Sequence, residues 1–78
     1  MIGTILKNMR LSADLSQLKL AKKLSVADTT ISSYERENSQ ADFDTICKIS
    51  KICEYDILFR DKQGNLITVE EMAKERDF

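Results

Sequence analysis

The twenty residues SQLKLAKKLSVADTTISSYE, Ser16 to Glu35, hold two short helical signals with almost nothing between them. Ser16 precedes the first and suits an N-cap, since a Ser hydroxyl accepts from the free N–H groups of a helix's first turn. Leu20 and Leu24, four residues apart, give that helix its inward stripe. Ser25, Val26 and Ala27 make a tight connection. The segment from Asp28 to Arg36 then reads as a second helix with Ile31, Tyr34 and Glu35 on one side. Two short helices joined by about three residues form a helix-turn-helix unit, placed at about 17–36.

Outward from this unit the pattern stays helical. Ile2, Leu6 and Met9 lie at spacings of four and three, the stripe of an amphipathic helix that ends at about Leu11 or Ser12, and Asp14 marks a turn. After the polar loop Glu37–Ala41, Asp42 caps a helix from Phe43 to about Glu54 whose core side is Phe43, Ile46, Ile49 and Cys53. Ile57, Leu58 and Phe59 read equally as a last helical turn capped by Asp56 or as the start of a strand. Gln63, Gly64 and Asn65 form a turn. Thr68 and Glu71 have capping-box spacing at the head of a segment running from Val69 to Arg76, so the tail reads as a small hairpin and a helix. The fold class is therefore all-α, a compact bundle of four to five short helices with a short C-terminal hairpin or helix extension. Residues 1–59 form the bundle, and residues 60–78 form an extension.

Composition narrows the function. With 78 residues there is room for one small domain. The absence of His removes the commonest general base and metal ligand, so Ser and Thr have no evident activator and an enzyme is not expected. No cofactor motif is present. Cys47 and Cys53 fall about 240° apart around a helix, which suits neither a disulfide nor a shared metal, and they read as small apolar thiols. No apolar run exceeds three residues, and no charged-then-apolar leader opens the chain. The expectation is a soluble cytoplasmic protein that touches no membrane and binds no small molecule.

The ordered series Leu6, Met9, Arg10, Leu15, Ser16, Gln17, Leu20, Ala21, Val26, Ile31, Ser32 and Glu35 resembles the phage-repressor and Cro-like (Xre) helix-turn-helix DNA-binding domains over about residues 2–59. The resemblance implies a lambda-repressor-like bundle and double-stranded DNA, read in the major groove, as the partner. It also implies that Arg10 and Glu35 meet as a partly buried ion pair tying the first helix to the third, where a guanidinium fork suits a carboxylate. The competing reading is two unrelated surface charges. Two of the family's usual glycines are absent, with Ser25 and Glu37 in their places. Asn38, which tolerates left-handed geometry, is expected to stop the third helix one residue late. Ala41 stands where a Pro is common.

The DNA-contacting set follows from the motif's geometry. Gln17 lies in the first turn of the second helix, where backbone N–H groups and the dipole suit a phosphate. Thr29, Thr30, Ser32 and Ser33 belong to the helix this motif aims at base edges, with Arg36 and Asn38 at its end. Asp28 either accepts from cytosine N4 or caps its helix. The cap is preferred, because Ala27 cannot supply one.

The net charge of −1 conceals two unlike halves. Residues 1–40 carry six bases against four acids, and residues 41–78 carry six against nine, giving +2 and −3. The reading half is the basic one, although its Lys19, Lys22 and Lys23 cluster is also what an ordinary solvated helix face looks like. Phe59, Leu66, Ile67, Met72 and Phe78 are more apolar residues than so short a tail buries on itself, which suits a homodimer. Their plainer role is to cover the open end of the bundle. The sequence thus points to a transcriptional regulator, a prophage-type repressor acting as a dimer on operator DNA. The alternative is a protein-interaction module on the same fold, an antitoxin or anti-repressor partner with little DNA binding.

Overall fold

The computed structural model describes residues 1–75. Four helices come first, α1 (Ile2–Ser12), α2 (Gln17–Leu24), α3 (Asp28–Glu35) and α4 (Phe43–Ile52). A hairpin of β1 (Leu58–Arg60) and β2 (Leu66–Thr68) follows, with a single helical turn, α5 (Val69–Met72), behind it. The core is Leu6 and Met9 of α1, Leu20 and Ala21 of α2, Ile31 of α3, and Ile49 and Cys53 at the end of α4. Each is almost fully withdrawn from water, worth about 1.5–3 kcal/mol for a large aliphatic side chain. Ala21 is small enough to let α2 approach α3, and a larger side chain would overpack that crossing. Burial pushes the Cys53 thiol up from its ordinary pKa, so it packs as an inert apolar group.

Phe43 does not join this core. As the first residue of α4 it lies at the end of the helix away from the buried Ile49 and Ser50 and stands half exposed. Ser50 is buried instead, its hydroxyl donating to the Cys47 carbonyl at 2.7 Å. Ser16 caps α2 by accepting from Lys19 N–H at 3.0 Å, and Asp42 caps α4 by accepting from Thr45 N–H at 2.8 Å.

The helix stops are unusual in their chemistry. Asp14, Ser25, Glu37 and Glu54 all have φ between 58° and 63°, the left-handed region glycine ordinarily fills. At each, the next residue's N–H reaches back five residues: Leu15 to Arg10, Val26 to Ala21, Asn38 to Ser33, and Tyr55 to Ser50, at 2.8–3.1 Å. These are Schellman closures made without glycine. The stop of α3 is therefore Glu37, not Asn38, and α3 ends at Glu35 instead of Arg36. The same device at Glu54 ends α4 at Ile52, two residues earlier than its apolar spacing suggests.

In the tail, Ile57–Phe59 enters a strand instead of a helical turn. Leu58, Phe59 and Arg60 pair antiparallel with Thr68, Ile67 and Leu66. Asp61 organises the intervening loop, its carboxylate accepting from Gln63 N–H, Asn65 N–H and the Asn65 amide at 2.9–3.1 Å. These bonds hold the Asp61 carboxyl below its ordinary pKa. β1 runs across the division expected between residues 59 and 60. Thr68 caps α5 through Glu71 N–H at 3.1 Å, but the helix ends at Met72, and Arg76 and Phe78 lie outside the described residues. An exposed Lys51–Glu70 ion pair at 2.6 Å links α5 to α4. The appendage draws the molecule out to 43 Å along one axis against 23 and 21 Å along the others.

Candidate nucleic-acid interface

One carboxylate joins three helices. Glu35, on the inner side of α3, accepts from Arg10 Nε at 2.6 Å and from a second Arg10 nitrogen at 3.0 Å, a bidentate pair with α1. The Gln17 amide of α2 donates to the same carboxylate at 3.1 Å. The remaining Arg10 nitrogen donates to the Leu15 carbonyl in the α1–α2 turn at 2.8 Å. Both side chains of the ion pair are more than nine-tenths buried. Burial would raise the Glu35 carboxyl, but hydrogen bonds from Arg10 and Gln17, and the charges of Arg10 and Lys7, outweigh it and hold the carboxyl below its ordinary pKa. No buried side-chain nitrogen or oxygen among the described residues lacks a partner. A planar fork with all three nitrogens engaged fixes angle as well as distance, so the α2–α3 pair is held rigidly on α1.

With its inner side fixed this way, α3 turns Ser32, Arg36, Thr29 and Ser33 outward. At 100° per residue they span about 100° directly opposite the Ile31 and Tyr34 side. Thr30 sits on the flank, half buried. Arg36 lies back along the helix, donating twice to Ser32 Oγ at 3.1 and 2.7 Å, and Ser33 Oγ pairs with Ser39 Oγ at 2.8 Å. Ser32 and Ser33 are therefore pre-oriented by internal bonds, while Thr29 and Asp28 carry none. Asn38 is exposed in the loop beyond them.

Asp28 does not cap α3. The N-cap position is Ala27, which makes no side-chain bond, and Asp28 is the first helical residue, favourable there only through the helix dipole. The first N–H groups of α3 consequently face outward without a side-chain cap. Gln17 differs from its expected role too, because one amide N–H is spent on Glu35 and only the other remains for a phosphate.

Residues 6–59 match the helix-turn-helix family. The chain belongs to it, in its Xre, lambda-repressor-like form. Neither a curated protein nor a solved structure gives a significant match. The family is one of DNA-binding regulators and is typically non-enzymatic. In this Xre chain the basic side chains of the reading half, Lys7, Lys19, Lys22, Lys23 and Arg36, are all exposed, and none of them pairs with a carboxylate among the described residues. No helix among those residues is long and apolar enough to cross a membrane.

Gly3 was invisible as a site-building residue in the sequence. A Cβ on it would lie 2.6 Å from the Glu35 carbonyl oxygen, 2.7 Å from that of Tyr34 and 2.6 Å from Glu37 Cγ. α1 thus touches the end of α3 backbone to backbone. Glu37 fastens the contact by accepting from Gly3 N–H at 3.1 Å and pairing with the Met1 amino group. The available signal was a lone Gly inside a helical pattern, which usually marks close packing.

Proposed function

We propose that this chain is a sequence-specific transcriptional regulator, a prophage-type repressor that binds operator DNA as a homodimer in the cytoplasm. The observation that carries the reading is the pairing of a locked inner side of α3 with a polar outer one. Glu35 is held from behind by Arg10 and Gln17, while Thr29, Ser32, Ser33 and Arg36 face outward together. Short hydroxyl groups read base edges, and a Thr methyl meets a thymine methyl. The second Gln17 amide hydrogen, the first N–H groups of α2 and the exposed lysines fit phosphates, which set register without reading sequence. Residues 1–59 are the reading domain, and residues 60–78 supply the extension. Two copies would address half-sites about one helical turn apart.

The test is selection of bound duplexes from a random pool, followed by fluorescence anisotropy over a salt series. A recovered motif, and a log–log salt slope set by several phosphate contacts, are expected. Affinity that is absent even at low salt would end this reading. Thr29→Ala should then relax preference at one base position by about 1–3 kcal/mol while leaving the salt slope unchanged. Exposed Asp28 at the start of the reading helix, with a net charge of −1, supports a second reading: an interaction module on the same fold, an antitoxin or anti-repressor partner. That module predicts no selected motif.

A further inference from the structure

We infer that the free edge of β1 is where two copies of this chain join, by antiparallel pairing of β1 with β1 centred on Leu58. The inference gives a place to the homodimer proposed above and rests on that part of the reading.

The hydrogen-bond phase of the hairpin decides which groups are available. Asp61 N–H donates to the Asn65 carbonyl at 3.0 Å and Val69 N–H to the Ile57 carbonyl at 3.2 Å, with Phe59 opposite Ile67 between them. Residues 57, 59 and 61 therefore face β2. Leu58 and Arg60 turn their N–H and C=O groups to the other side, where neither N–H has a partner among the described residues. The N–H of Asp56, next in the same phase, has no partner among the described residues either. The opposite edge, on β2, is bounded on both sides, by the Asn65 turn before it and by α5, which begins at Val69 directly after it.

An exposed edge with matched donors and acceptors is a template for another strand. Outward groups must meet outward groups, which leaves three central registers. Centring on Arg60 sets two arginines face to face, and centring on Phe59 sets Leu58 against Arg60. Centring on Leu58 pairs Leu58 with Leu58, Phe59 with Ile57, and Arg60 with Asp56, each of the last two occurring twice by symmetry. Only this register matches apolar with apolar and base with acid throughout, the condition under which cross-strand pairs stabilise a sheet. Neither Arg60 nor Asp56 has an ion-pair partner within the chain among the described residues.

Exposure agrees with the pairing. Leu58 is 47% and Leu66 63% exposed on the sheet face they share, and Phe59 is 40% exposed on the other. A two-stranded hairpin alone is marginal in water, whereas four strands bring Leu58 and Leu66 of both copies into one apolar cluster. The contact is isologous, so it closes at two copies.

Sedimentation equilibrium on the full chain, without DNA and over a concentration series, tests this. The wild type should show a monomer–dimer equilibrium. Leu58→Pro removes one outward N–H at the centre of the interface and no bond of the hairpin itself, and should weaken dimerisation at least about tenfold with the circular dichroism spectrum kept. Asp56→Arg and Arg60→Asp should each weaken it by about tenfold, and the double exchange should recover most of the loss, because the two positions face each other across the axis. A strictly monomeric wild type overturns the inference, as does wild-type dimerisation by Leu58→Pro or a double exchange no better than the singles. DNA reading is scored separately, by anisotropy. A chain that dimerises this way yet selects no DNA sequence refutes the regulator and spares the interface.

Discussion

The bundle α1–α4 and the appendage β1–β2–α5 solve opposite problems. The bundle buries seven core side chains and one salt bridge, with every buried polar side-chain atom satisfied. The appendage contributes nothing to that core and keeps Leu58, Phe59, Leu66 and Met72 largely exposed. One region buries its core side chains within the chain, and the other leaves these four exposed. Stability should therefore respond to substitution in the first region and association to substitution in the second.

The largest effect is expected at Arg10. Replacing it with Ala leaves Glu35 buried with only Gln17 as a partner, and an uncompensated buried charge of this kind costs about 3–5 kcal/mol. A denaturant midpoint equal to wild type would show that the pair is ornamental. Glu35→Gln sharpens the point through pH. Because the folded carboxyl is held below its ordinary pKa, its contribution is present above the unfolded value near 4.3 and disappears as pH falls through the lower folded one. The Gln variant should lose that part of the acid limb, read from thermal melts across the acid range.

Much of this was legible in the sequence, and the failures have different causes. The helices, the Ser16 and Asp42 caps and the core leucines and isoleucines follow from spacing and local chemistry, because each is decided within one turn of its own helix. Asp28 differs from its expected cap by a single position, since α3 begins at Asp28 and leaves Ala27 as the N-cap, whereas Phe43 and Gln17 depend on the packing of other helices. Phe43 stands at the N-terminal end of α4, whereas the core receives only the C-terminal end of that helix. Gln17 is recruited by a carboxylate eighteen residues away. Asn38 failed for a subtler reason: Asn tolerates the left-handed stop best, but the helix phase places Glu37 there, and its carboxylate gains the Gly3 N–H and the Met1 amino group.

Next in size is Gly3→Ala. Ala favours helix by up to about 1 kcal/mol over Gly, yet here its Cβ would meet two carbonyl oxygens of α3 that have nowhere to move. Overpacking of this kind costs about 1–3 kcal/mol, so the variant should be less stable by urea denaturation. An Ala variant as stable as the parent would mean that α1 and α3 are not in backbone contact. Ser25→Gly should move stability the other way, by roughly 0.5–1 kcal/mol, since Ser25 is exposed, makes no side-chain bond and holds φ at 62°. Glu37→Gly relieves a similar strain but forfeits the bonds to α1, and should gain less.

The smallest effect on stability is expected in the appendage, and there it is the informative result. Leu66 is 63% exposed, so Leu66→Ala removes little area from a monomer and should shift the unfolding midpoint of dilute protein by no more than about 0.5 kcal/mol. Ile49→Ala, from the buried core, should cost about 2–5 kcal/mol under the same conditions. At high concentration the ranking changes. If Leu66 is covered by a second copy, its truncation then lowers the melting temperature relative to wild type, because a dimer stabilises by mass action what a monomer leaves exposed. A Leu66→Ala penalty independent of protein concentration would instead place Leu66 in the monomer's own fold, and the division between a buried region and an exposed one would fail.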